Sequence, residues 1–192
     1  MSGSKGTMFL VGIIAFAALG LSGYMFYKNE ILVAPGTTSP ESGLTLAGLW
    51  DGLVKNTEYA PYTSDTSWLI EFSDNQFNNS NYIEVSNNNT SFKLLKEGFY
   101  KITLLLQLEF VNVLVNSIYY IHLYRNSTSA HYFDRIAIAA SPSSTYYHIE
   151  SSLYVKSTGL DYFVIRCYCS GDTFFTIANT QTFNQLSIEY NQ

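Results

Sequence analysis

Apolar and polar residues alternate along most of the chain beyond about residue 49, and the clearest stretch runs from Gly98 to Val111. There Tyr100, Ile102, Leu104, Leu106, Leu108 and Phe110 form one wholly apolar row, with Lys101, Thr103, Gln107 and Glu109 on the other side. Successive side chains of a strand point to opposite faces, so this pattern predicts a long strand with one buried side. The same period puts Tyr119, Ile121 and Leu123 inward on the next strand, then Ile149, Ser151, Leu153 and Val155, then Phe163, Ile165, Cys167 and Cys169, and finally Leu186 and Ile188. Shorter candidates are Trp68–Phe72, Tyr82–Val85, Phe92–Leu95, Tyr132–Ala139 and Phe174–Ala178, separated by Asn, Ser and Gly turns. No window here carries an apolar repeat at helical spacing. The expected fold class is all-β, about ten antiparallel strands in a sandwich or jelly roll.

The N-terminal pattern is different. From Gly6 to Tyr27 no residue is charged, and Lys5 and Lys28 flank the stretch. A helix of that length reaches about 33 Å, enough to cross a hydrocarbon core of about 30 Å. Tyr24, Phe26, Tyr27 and Lys28 are residue types that settle at a headgroup interface. No A-x-A-like cleavage site follows, so the expectation is an uncleaved transmembrane helix over 6–27. The N-terminal flank carries Lys5 and the α-amino group without an acid, whereas Glu30 soon balances Lys28. Residues 1–5 are therefore expected in the cytoplasm and the C-terminal bulk outside, as a single-pass protein of the cell membrane. Residues 28–48 contain Pro35, Pro40 and a run of Ser and Thr without periodicity, and read as a stalk. Residues 49–192 are left as one extracytoplasmic domain. An alternative starts from Lys5-Gly6 before the apolar stretch, which resembles the processing site of archaeal type IV pilin-like signal peptides. Cleavage there would leave residues 7–27 as the assembly helix of a filament, a surface layer or a virion.

The order FKLLKEGFYKITLLLQL, IYYIHLYRN, SSLYVKSTGLDYFVIRCYCSGDTFFTI and FNQLSIEY resembles the jelly-roll domain shared by complement component q globular heads and tumour necrosis factor ligands. Gly98 and Tyr100 match a Gly-x-Tyr that opens a long central strand. Leu123 to Asn126 match an L-x-x-N strand end, Gly171-Asp172 a turn before the penultimate strand, and Phe183 with Leu186 a closing aromatic strand. Asn184-Gln185 stand where that superfamily has a Phe-x-Gly-Phe type of sequence. Anchor, stalk and C-terminal jelly roll also repeat the type II plan of the tumour necrosis factor ligands. The resemblance implies an antiparallel jelly-roll sandwich of about ten strands and a homotrimer.

A surface for it is suggested by the polar rows of two strands. Opposite the core, one reads Ile118, Tyr120, His122, Tyr124 and the other Tyr162, Val164, Arg166, Tyr168. Tyrosine suits interfaces because one end is apolar and the other can be wet. Tyr120, His122, Tyr124, Tyr162 and Tyr168 are thus the candidate oligomer interface. The expected role is display of a binding or adhesion domain for a protein or glycan ligand.

Catalytic chemistry finds no foothold. His122, His131 and His148 are scattered without metal-ligand spacing, and there is no nucleophile elbow or phosphate loop. No cofactor is expected, apart from calcium as a minor option at Asp161 and Asp172, which lie at predicted strand ends. Cys167 and Cys169 share a face of one strand, where parallel side chains disfavour a bridge between them. Asn78, Asn88, Asn89 and Asn126 each begin an N-x-S/T acceptor in a predicted turn.

Composition sharpens this picture. The 192 residues carry a net charge of −5, with 10 Lys+Arg, 15 Asp+Glu and 16 Tyr. That leaves no basic footprint for nucleic acid. Charged residues are only 13% of the chain, against about 25% in ordinary soluble domains. The membrane segment does not explain the deficit, because residues 1–44 hold just Lys5, Lys28, Glu30 and Glu41 and the remainder is equally poor. The domain surface must therefore be built from Asn, Ser, Thr and Tyr.

Overall fold

A computed structural model describes residues 43–58, 66–111, 115–139, 144–170, 174–178 and 183–191. The expected transmembrane helix, most of the stalk and the Gly171-Asp172 turn lie outside them. Among the described residues no helix is long and apolar enough to cross a membrane.

Eleven strands follow in chain order: β1 Leu44–Asn56, β2 Ser67–Asn78, β3 Ile83–Ser86, β4 Ser91–Leu94, β5 Glu97–Val111, β6 Ile118–Arg125, β7 Thr128–Ala137, β8 Ser144–Thr158, β9 Tyr162–Cys169, β10 Phe174–Ile177 and β11 Gln185–Asn191. All pairings are antiparallel. One layer runs β8, β5, β11, β1, β2, and β10 shares the β5 edge with β11. The other runs β3, β4, β9, β6, β7. β2 joins the layers, pairing with β1 along most of its length and with β9 through Ser67–Leu69. This is an all-β jelly roll, one of the two architectures that the alternation leaves open.

β5 is its spine. Tyr100, Ile102, Leu104, Leu106, Leu108 and Phe110 are all at 0% exposure. Rings from both layers meet across the interior: Phe110 lies 4.4 Å from Tyr119, and Phe175 lies 5.2 Å from Tyr119 and 5.1 Å from Trp68. The inward rows of β6, β9 and β11 are buried as their period requires, Cys167 and Cys169 included. Both thiols are unbridged, and burial pushes the Cys167 thiol well up.

Gly98-x-Tyr100 has a physical reason. Gly98 has φ +143, and a Cβ there would come within 2.8 Å of the Tyr190 ring. That ring packs 5.0 Å from Tyr100 and 5.1 Å from Tyr82. The Tyr100 hydroxyl accepts from the Lys96 amide at 3.1 Å, and burial raises its pKa to about 12.

Two boundaries differ from the sequence expectation. β1 opens at Leu44, inside the segment read as stalk, and was not expected as a strand. Its pairing is interrupted by irregularities at Leu46/Gly48 against β11 and at Leu49/Trp50 against β2. These bulges destroy the period of two, while the Trp50 ring folds over Gly48 so closely that no Cβ fits there. β2 also continues through Asn75–Asn78, residues expected in turns, because β1 supplies its backbone partners.

Leu104→Ala should cost about 2–5 kcal/mol, since the site lies between two layers that cannot collapse around it; chemical denaturation of the full chain measures this. Asn184→Ala should cost about 2–4 kcal/mol by orphaning buried backbone groups. Asn184 Oδ1 accepts from the Gln107 amide at 2.9 Å and its Nδ2 donates to the Ala178 carbonyl at 2.7 Å.

Candidate interaction surfaces

β6 lies between β7 and β9, and the register aligns their outward side chains in rows. Arg135, Tyr120 and Tyr168 form one row, and Tyr132, His122 and Arg166 the next. Tyr120 stacks on Tyr168 with centroids 5.7 Å apart and planes at 28°. Tyr132 meets His122 edge-on at 3.7 Å. The Arg135 guanidinium sits 5.6 Å over the Tyr120 ring, and that of Arg166 sits 5.5 Å over both Tyr124 and Tyr168. Arg166 also donates to Ser67 Oγ at 2.8 Å and to the Tyr124 hydroxyl at 3.1 Å. Burial, with Arg166 adding to it, lowers the His122 pKa, so the imidazole is neutral at pH 7.

The five residues singled out by sequence therefore fall on one sheet face. Tyr120, His122, Tyr124 and Tyr168 are half-buried by one another and by the two arginines, and Tyr162 is exposed at the β9 end. Tyr132 and Arg135 complete this face and were not singled out. The irregularity between Ile121 and His122 in the β6–β7 pairing breaks the alternation that would have marked them.

Beside this face lies a polar clasp. Asp161, 4% exposed, accepts from Arg125 Nη2 at 2.7 Å, Asn126 Nδ2 at 2.8 Å, the Thr158 amide at 2.7 Å and the Thr158 hydroxyl at 2.8 Å. Burial raises its pKa, but the Arg125 guanidinium and the other donors outweigh that and hold the carboxyl well below its usual range. Both oxygens are committed to donors, so Asp161 offers no coordination site unless Arg125 and Asn126 let go. Asp172, the other candidate calcium ligand, lies outside the described residues. The clasp also explains Leu123-x-x-Asn126: Asn126 has φ +48, and its Oδ1 accepts from the Tyr162 amide at 3.1 Å.

Among the glycosylation candidates, Asn126 has both side-chain ends engaged. Asn88 and Asn89 lie in the β3–β4 turn with φ of 49 and 60, and Asn78 closes β2. All four are exposed.

The outward face of the other layer has a different character. On β5, Phe99, Lys101, Thr103, Leu105, Gln107 and Glu109 point away from the core, and Lys156, Tyr154, Ser152, Glu150, His148 and Tyr146 stand opposite them on β8. Lys101 pairs with Glu189 at 3.7 Å, and Thr103 and Ser152 share a hydrogen bond of 2.8 Å. Tyr146 and Tyr154 are each 61% exposed, and Phe99 is 52% exposed. Leu44, Leu46 and Phe183 extend this apolar exposure across β1 and the approach to β11.

No protein-family model matches the chain, and no curated protein matches its sequence. Solved structures do. A crystal structure of murine APRIL at pH 8.0 aligns with a TM-score of 0.50 at 9% identity, covering 77% of this chain and 99% of that one. Murine APRIL at pH 5.0 aligns with a TM-score of 0.49 at 8% identity, covering 77% and 99%. The fold is a tumour necrosis factor-like jelly roll.

Asp161→Asn should destabilise the chain by about 3 kcal/mol, the low end for a broken buried pair because Arg125 stays partly in water. The depressed carboxyl makes this contribution complete above its ordinary pKa of about 3.9 and lost as pH falls below it. The wild-type melting temperature should therefore drop more steeply than the variant's between about pH 4 and pH 2, read by circular dichroism.

Proposed function

We propose that the chain is a single-pass surface protein whose C-terminal jelly roll is a homotrimeric binding module. The 22 uncharged residues from Gly6 to Tyr27 support the anchor, and the tumour necrosis factor-like fold supports the trimer. The observation that carries self-association is the outward face of β1, β11, β5 and β8. Phe99, Tyr146 and Tyr154 stand more than half exposed there. Exposed aromatic area of this kind marks an association site, and aromatic residues are enriched at interfaces. The β6 face is the weaker candidate for contact between copies, because its rings already cover one another and hold two guanidiniums.

In this reading the copies meet through the β5 and β8 face, while the β6, β7 and β9 face stays outward for a ligand. The domain acts by recognition, and its loops and outward side chains hold the specificity.

The full chain in detergent should be a trimer by multi-angle light scattering at micromolar concentration. Phe99→Asp with Tyr154→Asp should give a folded monomer with an unchanged circular dichroism spectrum, while Tyr124→Asp should remain trimeric. A monomeric wild type overturns the module, and dissociation by Tyr124→Asp alone returns the interface to the β6 face. Mass spectrometry should find Met1 intact; a mature chain beginning at Thr7 would replace the anchor with a processed assembly helix.

A further inference from the structure

We propose that the free edge of β8 joins two copies of this chain, strand to strand and antiparallel, about a two-fold axis at Leu153. The inference goes beyond the trimer and does not rest on it. β8 is the outermost strand of its layer, so its edge borders the outward face at which the trimer forms.

The first observation is that this edge is unprotected. Among the described residues, β3, β7, β8 and β10 each pair with a strand on one side only. β3 and β10 are four residues long, and β7 is broken by two irregularities in its pairing with β6. Short strands and bulges are the usual means of keeping an edge from templating another chain. β8 has neither. Its 15 residues run in unbroken register with β5, and its inward row of Ile149, Ser151, Leu153 and Val155 carries no charge. The Tyr147 hydroxyl bonds Asp134 of β7, which ties that end of β8 to its own chain and leaves residues 148–158 for a partner.

The second observation is a pair of charges without partners. Glu150 and Lys156 are exposed on the outward side of β8, and opposite them on β5 stand Leu105 and Phe99. Neither makes a hydrogen bond or an ion pair among the described residues. Pairing about a two-fold axis at Leu153 sets Glu150 of each copy opposite Lys156 of the other, so one contact yields two ion pairs. The smallest slip that keeps both faces aligned moves Glu150 opposite Tyr154 or Thr158 and loses both pairs. β7 has no such register, because Asp134 and Arg135 are adjacent in sequence and directly opposed residues of a two-fold pair lie an even number of positions apart.

The third observation falls at the centre of that register. In the inward row Ile149 is 3% exposed and Val155 4%, whereas Leu153 between them is only half-buried. In the pair, Leu153 meets its own copy and each covers apolar area that the other leaves in water. An unrelated extended segment could take the backbone groups of β8. A second β8, however, answers the backbone edge, both charges and the open leucine in a single register, and this selects a copy of the chain as the occupant. One strand edge is smaller than a standard interface, so the pairing shows at sub-millimolar concentration, above the micromolar range of the trimer.

The test uses the full chain in detergent at sub-millimolar concentration, under mild oxidation, with mass spectrometry under denaturing conditions without reductant. Leu153→Cys should give a covalent dimer and no larger adduct, because a residue on a two-fold axis meets one partner and directly opposed strand positions lie within disulfide reach. Cys167 and Cys169 are buried and should take no part. Ser151→Cys should give no dimer, since it faces Val155 of the other copy. Adding Glu150→Lys to Leu153→Cys should lower the dimer yield by about fivefold or more. Adding Lys156→Glu as well should restore it, with an unchanged circular dichroism spectrum throughout. In chains without an added cysteine, sedimentation equilibrium should show the same loss with Glu150→Lys and the same return with the double exchange. The proposal is overturned by no covalent dimer from Leu153→Cys, by an equal yield from Ser151→Cys, by a yield that Glu150→Lys leaves unaltered, or by a double exchange that fails to restore it. Light scattering of the same samples at micromolar concentration reads the trimer separately.

Discussion

Everything in this domain is arranged around the row Tyr100 to Phe110 of β5. A strand with every second side chain wholly buried needs a second layer over it, and β6 and β9 supply that layer through Tyr119, Phe163 and their neighbours. It also needs backbone partners on both edges along fifteen residues. β8 serves one edge throughout. The other edge is shared, with β11 covering Phe99–Leu105 and β10 covering Leu108–Val111. The gap between them falls at Gln107, whose amide donates to Asn184 and whose carbonyl accepts from the Ala178 amide at 2.8 Å. Asn184 thus stands in for a missing strand residue. An amide side chain does there what an aromatic or glycine could not, and this gives a physical reason for Asn184-Gln185 at a position where the resembled superfamily carries a different sequence.

How legible this was depends on how regular each element is. The inward rows of β5, β6, β9 and β11 could be read residue by residue, because unbroken pairing keeps the period of two intact. β1 could not be. Its bulges put Ala47, Gly48 and Trp50 inward within four residues, and no alternation survives to be found. β7 fails in the same way: irregularities in its pairing with β6 put Tyr132 and Arg135 outward three residues apart, so the face that holds them showed only its β6 and β9 halves. The motif residues were legible as a resemblance but not as chemistry. That Asn126 and Arg125 converge on Asp161, 35 positions further on for Asn126, is a property of the closed β6–β9 pairing and leaves no local signal.

Scarcity of charge shapes the surface that results. On the β6 face, rings of Tyr120, Tyr124 and Tyr168 lie under the guanidiniums of Arg135 and Arg166. A ring satisfies a guanidinium from one side only. An ion pair would consume the in-plane donors, whereas stacking over Tyr120 leaves them open, so a charge-poor, tyrosine-rich sheet keeps a cation both positioned and available.

The two outward faces use the same residue type to opposite effect. On the β6 face the tyrosines lie at cross-strand positions next to one another, so they pack laterally and their apolar area is already removed from water. On the β5 and β8 face they alternate with Lys101, Glu150, Lys156 and Glu189, and Tyr146 and Tyr154 lie eight residues apart on one strand, each 61% exposed. Their area stays exposed and gains most from a flat partner surface. The spacing of tyrosines along and across strands, rather than their number, thus separates a face whose rings cover one another from one whose rings stay open to solvent.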